Sequence, residues 1–416
     1  MRILFVSHYA TPHIGGIETV IHSLRRELQD RGHEVVHVAS SASPFDLEEL
    51  PPDDGVIRVG AINVLENKLG VPYPIFSPRL HRVLARELKR ADVVHAHGLL
   101  YQSSVWALRY AKLRHRGENG PVRVLTEHVG HVPYESRLLD RMESAAMATI
   151  GRLSVKAAES VVVLNRQVGA EVAELGPNGP VVQIPNGIDT DLFRPAVNGE
   201  RDALRRKFGW DDDLPRVLFV GRLVAKKGLD TALAAASASL GKFELVVAGP
   251  GPLQPESAEG VKVLGPIPSE MVAELYRAAD ALLLPSRGEG FPVTVQEAMA
   301  SGLPVVMTND PSYSHYLDGA GDGVSLVPPA PREIARTLEA LLVDREGLAA
   351  AGRAGHQHAS AAFTWQQSAH RHERLYEGLL AARQLPGGSF AAESFALPPA
   401  EPVAQATTAS ERGAIS

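Results

Sequence analysis

The sequence predicts an α/β protein built from two doubly wound, Rossmann-like parallel sheets in succession, and three observations carry that prediction. Short apolar runs alternate with helix-forming stretches from Met1 onward, and the alternation restarts at Val217. Between Pro185 and Asp213 it breaks into turn chemistry, with Pro185-Asn-Gly-Ile-Asp189, Pro195 and Asn198-Gly199. The chain of 416 residues also exceeds what one ordinary core holds.

Taken in order, Ile3–Ser7 reads as an apolar strand, followed by a loop and a helix over Gly16–Arg31 that Gly32 stops. Strands follow at Val35–Ala39, Asp92–Ala96, Val122–Thr126, Ser160–Leu164 and Val181–Ile184. Between them lie helices near Pro78–Arg90 and Tyr101–Arg114 and a long helical stretch over Ser136–Lys156. These make a first domain of residues 1–190. A short helix near Arg201–Phe208 ends the linker, and strands at Val217–Val220, Glu244–Ala248, Val261–Leu264, Ala281–Leu284, Val305–Met307 and Gly323–Val327 define a second domain over 200–362. Helices Pro331–Val343 and Arg345–Ala362 close it. A further amphipathic helix, Ala369–Ala382, follows Trp365, and the tail 384–416 is rich in Gly, Pro, Ala, Ser and Thr and is expected to be disordered.

Composition excludes several classes. Hydrophobic residues at 44% and charged ones at 22% are those of a globular domain, and no apolar run approaches a membrane span. There is no cysteine, which removes disulfides and thiolate metal sites. A formal net charge of −6 argues against nucleic acid as a partner. The expected location is cytoplasmic, with peripheral contact to the inner face of a membrane if Arg25, Arg26 and Arg31, or Arg79, Arg82, Arg86, Lys89 and Arg90, share a face.

The chemistry concentrates in Arg287-Gly-Glu-Gly-Phe-Pro-Val-Thr-Val-Gln-Glu297-Ala-Met-Ala-Ser-Gly302. A buried strand ends at Pro285, a glycine loop follows, Pro292 suits the first position of a helix, and the helix stops at Gly302. Such a strand, loop and helix start present free backbone N–H groups and a positive dipole end, which suits phosphate. Glu289 and Glu297 frame the site, as solvated carboxylates or as acceptors for ribose and sugar hydroxyls.

This stretch resembles the Glu-x7-Glu signature of the retaining glycosyltransferases of family 4 (group 1), which have the GT-B fold. Val220-Gly-Arg222-Leu-Val-Ala-Lys-Lys227-Gly is similar to that family's Gly-Arg-Leu…Lys-Gly motif. The resemblance covers roughly Met1–Ala382 and implies that the two sheets face each other across a cleft and that the last helix returns to the first domain. It implies donor contacts at Gly16, Arg222, Lys227, Ile267, Glu289, Phe291, Pro292, Val293 and Glu297, with His128 and Glu289 beside the transferred sugar. From the residues alone, His128 could equally be a hydrogen-bonded loop residue, Gly15-Gly16 a plain tight turn and Ile267 part of a strand-to-helix turn. The adjacent Lys226 competes with Lys227, which directly precedes Gly228. His95, His97 and His131 are possible linings of the acceptor pocket, and no metal or other cofactor is expected.

The implied function is transfer of a hexose-type sugar from a UDP- or GDP-sugar to a hydroxyl of a glycan, lipid or small molecule. A sugar-nucleotide epimerase, a phosphorylase and a degenerate nucleotide-sugar-binding scaffold are the competing readings. No pyridoxal lysine signature supports a phosphorylase, and intact Arg222, Lys227, Glu289 and Glu297 argue against a scaffold.

Overall fold

The computed structural model describes residues 1–11, 13, 16–41, 55–64, 66, 73–114, 120–130, 137–287, 291–310 and 313–384. Gly15, Glu289 with its flanking glycines, His131 and the tail from residue 385 on lie outside the described residues.

The first sheet contains β1 (Arg2–Val6), β2 (Glu34–Ser40) and β3 (Val56–Val59). The two-residue strands β4 (Ala61–Ile62) and β5 (Ile75–Phe76) pair antiparallel in a separate ribbon. The chain then adds β6 (Val93–His97), β7 (Val122–Glu127), β8 (Ser160–Val163) and β9 (Val181–Gln183). Seven strands lie parallel in the order β3-β2-β1-β6-β7-β8-β9. β6 and β8 are buried at every residue, as continuous apolar strands covered on both faces should be.

The second sheet follows the same plan with β10 (Arg216–Val220), β11 (Glu244–Ala248), β12 (Val261–Gly265), β13 (Ala281–Leu284), β14 (Val305–Thr308) and β15 (Val324–Val327). Its order is β12-β11-β10-β13-β14-β15, so the winding reverses between β10 and β13. A ligand crevice belongs beyond the carboxyl ends of the strands at such a reversal. The doubly wound expectation holds for both sheets.

Several elements differ from the sequence reading. Strands β3, β4 and β5 were not anticipated, being two to four residues long and at an edge or outside the main sheet. The helix Arg166–Glu174 was also missed, although Asn165 caps it by accepting the Val168 N–H at 2.9 Å. The long stretch after residue 136 is helical throughout, as read, but it carries a π-turn at Met147–Gly151 that joins Arg137–Ala146 to Arg152–Ala157. Pro292 is not the first helical residue. Its ψ of 131° is extended, and it stands at the N-cap with the helix beginning at Val293.

The final helix, Trp365–Gln384, packs on the first sheet. Ala369, Leu375, Tyr376 and Leu379 share one core with Ile3, Phe5, Ile21, Val93 and Val124. Its polar contacts repeat the attachment: His95 Nδ1 lies 2.7 Å from the Tyr376 hydroxyl, and Arg383 donates to Glu159 at 2.8 Å. Glu373 meets Arg31 at 3.0 Å and His33 at 2.8 Å. Where the chain crosses between the sheets its two passages lie side by side, the Ile188 N–H donating to the Phe363 carbonyl at 2.8 Å.

Full burial of an aliphatic side chain is worth about 1.5–3 kcal/mol, and the cavity left by truncation adds to the loss. Leu375 is fully buried, so Leu375→Ala is expected to destabilise the protein by about 2–5 kcal/mol. Denaturant melts of the two proteins check this, and a change below about 0.5 kcal/mol, the surface range, would remove the helix from the first core.

Candidate active site

Four loops at the carboxyl ends of the second sheet are held together by backbone contacts. After β10, the Gly221 N–H reaches the Ala248 carbonyl at 3.1 Å and the Leu223 N–H reaches Pro250 at 2.7 Å. After β11, the Gly249 N–H reaches the Gly265 carbonyl at 2.8 Å. The loop after β13 joins them through the Arg287 N–H on the Lys226 carbonyl, at 2.8 Å. Two glycines make this possible. A Cβ on Gly228, whose φ is 75°, would sit 2.0 Å from the Pro285 carbonyl oxygen, and one on Gly249, at φ 139°, would sit 1.9 Å from that of Gly221. This surface carries exposed Arg222, exposed Lys226 and partly buried Lys227, the two lysines on the turn Ala225–Lys227. Ile267, on the adjoining loop, packs partly against the core, so its strand-to-helix reading and its binding reading both remain consistent with its place.

The helix Val293–Ala300 starts beside this surface. Val295, Ala298 and Met299 are fully buried, which fixes the helix on the sheet, while Val293 is 42% exposed at its start. Glu297 accepts a hydrogen bond from the Tyr276 hydroxyl at 3.4 Å. Burial pushes the Glu297 carboxyl up to about 7, and the tyrosine hydrogen bond offsets only part of that.

The facing wall belongs to the first sheet. His128 follows β7, and its Nε2 lies 3.0 Å from His97 Nδ1. His97 stacks on His95 with ring centroids 4.3 Å apart, and His95 Nε2 meets the Thr126 hydroxyl at 2.6 Å. Burial lowers His128 to about 3 and holds His95 and His97 well below the ordinary imidazole range, so all three are neutral near pH 7. Next to His128, Glu127 accepts the Leu99 N–H at 2.8 Å and the Val129 N–H at 3.1 Å, yet its burial raises it to about 7. Among the described residues, no three of His, Asp or Glu converge in a metal-binding arrangement.

Between the walls is a cavity of about 290 Å³. It brings together His128 from the first domain and Phe291, Pro292 and Val293 from the second. Lys226, rather than Lys227, lines it. Arg222, Lys227 and Ile267 stand on the strand-end loops, outside that lining, and Gly16 lies exposed at the start of the helix Gly16–Asp30. Asn165, Asn186 and Gln296 line the cavity and were not singled out from the sequence. The Asn165 signal was readable, as an N-cap before Val168 and Val172. Gln296 was readable only as a polar residue among Val295, Ala298 and Met299.

Comparison with known proteins gives the following. Residues 14–192 match the model described as Glycosyltransferase Family 4, and residues 200–358 the one described as Glycosyl transferases group 1. A D-inositol 3-phosphate glycosyltransferase of Geodermatophilus obscurus is 30% identical over 412 residues, covering 91% of this chain and 87% of that protein. Among solved structures, the sucrose-phosphate synthase of Thermosynechococcus elongatus superposes with a TM-score of 0.65 at 23% identity, covering 92% of this chain and 99% of that one. Anabaena HepE, in complex with UDP, does so with a TM-score of 0.67 at 17% identity, covering 91% and 100%. At those identities the two structures share the fold, and the GT-B expectation stands.

The shift of Glu297 has a consequence for stability. The folded carboxyl holds its proton up to about pH 7, above the ordinary value of 4.5, so its favourable contribution is complete below 4.5 and is lost as pH rises toward 7. Glu127 titrates the same way but is present in both the parent and a Glu297→Gln variant, so its effect cancels between them. Glu297→Gln should therefore match the parent's melting temperature near pH 4 and exceed it by a margin that grows to about pH 7 and then levels off. Melts across pH check this; a margin that does not change with pH would mean that Glu297 is solvated.

Proposed function

This chain belongs to the group 1, family 4 glycosyltransferases, and from that premise we propose that it moves a hexose-type sugar from a UDP- or GDP-sugar to an acceptor hydroxyl with retention of configuration. That it is a glycosyltransferase follows from the family. The donor reading is carried by one observation: the helix Val293–Ala300 starts at the cavity between the sheets, next to the reversal of strand order. Free N–H groups and the dipole at such a start suit a diphosphate.

In this reading Arg222 and Lys227 neutralise the leaving diphosphate, an Arg fork and a Lys ammonium both being suited to it. Glu297 holds the ribose diol and Ile267 borders the base. Glu289 and His128 flank the transferred sugar from opposite domains. The leaving phosphate assists attack from the same face, and the fixed positive groups replace a metal. The relative from Geodermatophilus is named for action on D-inositol 3-phosphate, which supports a small, hydroxylated and phosphorylated acceptor over a polymer.

The test is release of nucleoside diphosphate from UDP-glucose, UDP-galactose and GDP-mannose, with and without D-inositol 3-phosphate and with and without EDTA. Turnover that persists in EDTA is expected for at least one donor. Arg222→Ala and Lys227→Ala should each weaken binding of the corresponding free nucleotide by about 1.5–3 kcal/mol, read by calorimetry. Unchanged affinity in both variants would overturn the phosphate assignment.

Membrane contact belongs to the same proposal. Arg79, Arg82, Arg86, Lys89 and Arg90 are all exposed, and their spacing puts them on the outer side of the helix Arg79–Glu87 and its end. Beside it, the β4–β5 ribbon exposes Ile62 by 59% and Ile75 by 40%. Arg31, by contrast, is taken up by Glu373 and the Gln366 carbonyl. No described helix is long and apolar enough to cross a membrane. A basic stripe next to exposed isoleucines suits the surface of an anionic bilayer. Flotation with phosphatidylserine vesicles should carry the protein at low salt and release it at high salt, while Arg82→Glu with Arg86→Glu should abolish flotation. An absence of flotation at low salt would overturn the contact.

A further inference from the structure

One side chain of the second domain touches both walls of the cavity from behind. Tyr316, in the single turn Ser314–Leu317, stacks on Phe291 with ring centroids 5.1 Å apart and planes 29° from parallel. Its hydroxyl donates to the Leu164 carbonyl of the first domain at 2.8 Å. Phe291 and Leu164 both line the cavity, one from each side. Leu164 directly follows β8 and precedes Asn165, which caps the helix Arg166–Glu174 and is itself part of the lining.

Tyr316 is anchored in its own domain by main chain. Its N–H donates to the Tyr313 carbonyl at 2.9 Å, and its carbonyl accepts from His358 Nε2 at 2.7 Å. Phe363 packs on Phe291 as well, with centroids 4.9 Å apart, and its carbonyl is the one that meets the Ile188 N–H where the chain crosses between the sheets. A second polar contact spans the same seam, Gln183 Nε2 to His315 Nε2 at 2.8 Å. The two domains are therefore joined here by neighbouring, directional contacts rather than by one chance touch. A tyrosine suits a spacer between two walls, since it has a rigid ring, few rotatable bonds and a hydroxyl to fix its far end.

We infer that Tyr316 is a positioning residue for sugar transfer: its ring backs Phe291 while its hydroxyl holds the Leu164 carbonyl, and together these set the separation of the two walls. Tyr316 is not part of the cavity lining and acts through those two residues. This rests on the reading of the cavity as a nucleotide-sugar site. In that reading Arg222, Lys227, Ile267 and Glu297, all in the second domain, hold the nucleotide, and His128 meets the sugar from the first. A change in wall separation then leaves the nucleotide contacts intact and moves His128 away from the sugar. The rate of a reaction between held groups is steeply sensitive to such a displacement.

The test is Tyr316→Phe, which keeps the ring on Phe291 and removes only the hydroxyl. Rates are measured with whichever of UDP-glucose, UDP-galactose and GDP-mannose the wild type turns over. The expected result is a fall of about tenfold in kcat, with affinity for the free nucleoside diphosphate within about twofold of the wild type. Tyr316→Leu, which also withdraws the ring from Phe291, should lower kcat further. A second readout needs no turnover. The chain has no cysteine, so spin labels can be placed through Leu113→Cys and Val343→Cys, positions 51% and 84% exposed in the first and second domains. The distribution of distances between the labels should broaden or move outward in Tyr316→Phe. A distribution that matches the wild type, a kcat within about twofold of it, or a loss of affinity for free nucleotide would overturn the inference. So would a lowered melting temperature with kcat unchanged, the result that a purely structural hydrogen bond gives. If the wild type turns over no nucleotide sugar at all, the reading of the cavity fails and this inference falls with it; turnover that Tyr316→Phe leaves unchanged fails the inference alone.

Discussion

Close approach of backbone to backbone at the ends of the second sheet is the constraint on which the site depends. Gly228 against Pro285 and Gly249 against Gly221 leave no room for a side chain, and the hydrogen bonds at Gly221, Leu223, Gly249 and Arg287 tie the loops after β10, β11, β12 and β13 into one surface. The loops that carry Arg222 and the lysine turn are thereby fixed by main chain, while packing of Val295, Ala298 and Met299 holds the helix that starts at Val293 on the same sheet. Positioning of this kind does not rely on long, mobile side chains holding each other, so it costs little side-chain entropy.

The opposite wall uses a different device. His95, His97 and His128 are stacked, hydrogen-bonded and buried, and burial keeps them uncharged. A neutral imidazole can both donate and accept, which suits hydroxyl groups, and it adds no charge of its own to a cavity whose positive groups lie on the other side. The two walls thus divide the work, one electrostatic and one made of neutral hydrogen-bonding groups.

Much of this was legible in the residues. Apolar runs such as Leu282-Leu-Leu284 and Val217-Leu-Phe-Val220 reveal buried parallel strands because nothing polar interrupts them, and Gly302 marks the helix end. Short elements were not: β3, β4 and β5 have too few residues to show a period, and the π-turn at Met147–Gly151 is a local register change that composition does not announce. At the site, a helix start shortly after the glycines could be read, although Pro292 proved to be its N-cap rather than its first residue. The place of Lys226 could not, since which of two adjacent lysines lines a cavity depends on the turn Ala225–Lys227. Gln296 was hidden for a similar reason. Its place on the cavity exists only once the helix is packed against the sheet.

The attachment of the last helix to the first sheet bears on how the chain comes to be folded. His95 and Tyr376 meet across 281 residues of sequence, and Glu159 and Arg383 across 224. The core of the first domain is therefore incomplete until the whole second domain has been synthesised. Loop closure over such separations slows assembly, and the face of the first sheet that will receive Leu375, Tyr376 and Leu379 remains uncovered meanwhile. Domains that emerge first from the ribosome usually fold first. Here the second domain, continuous in sequence over its own sheet, is the one able to finish independently, and the first is sealed last.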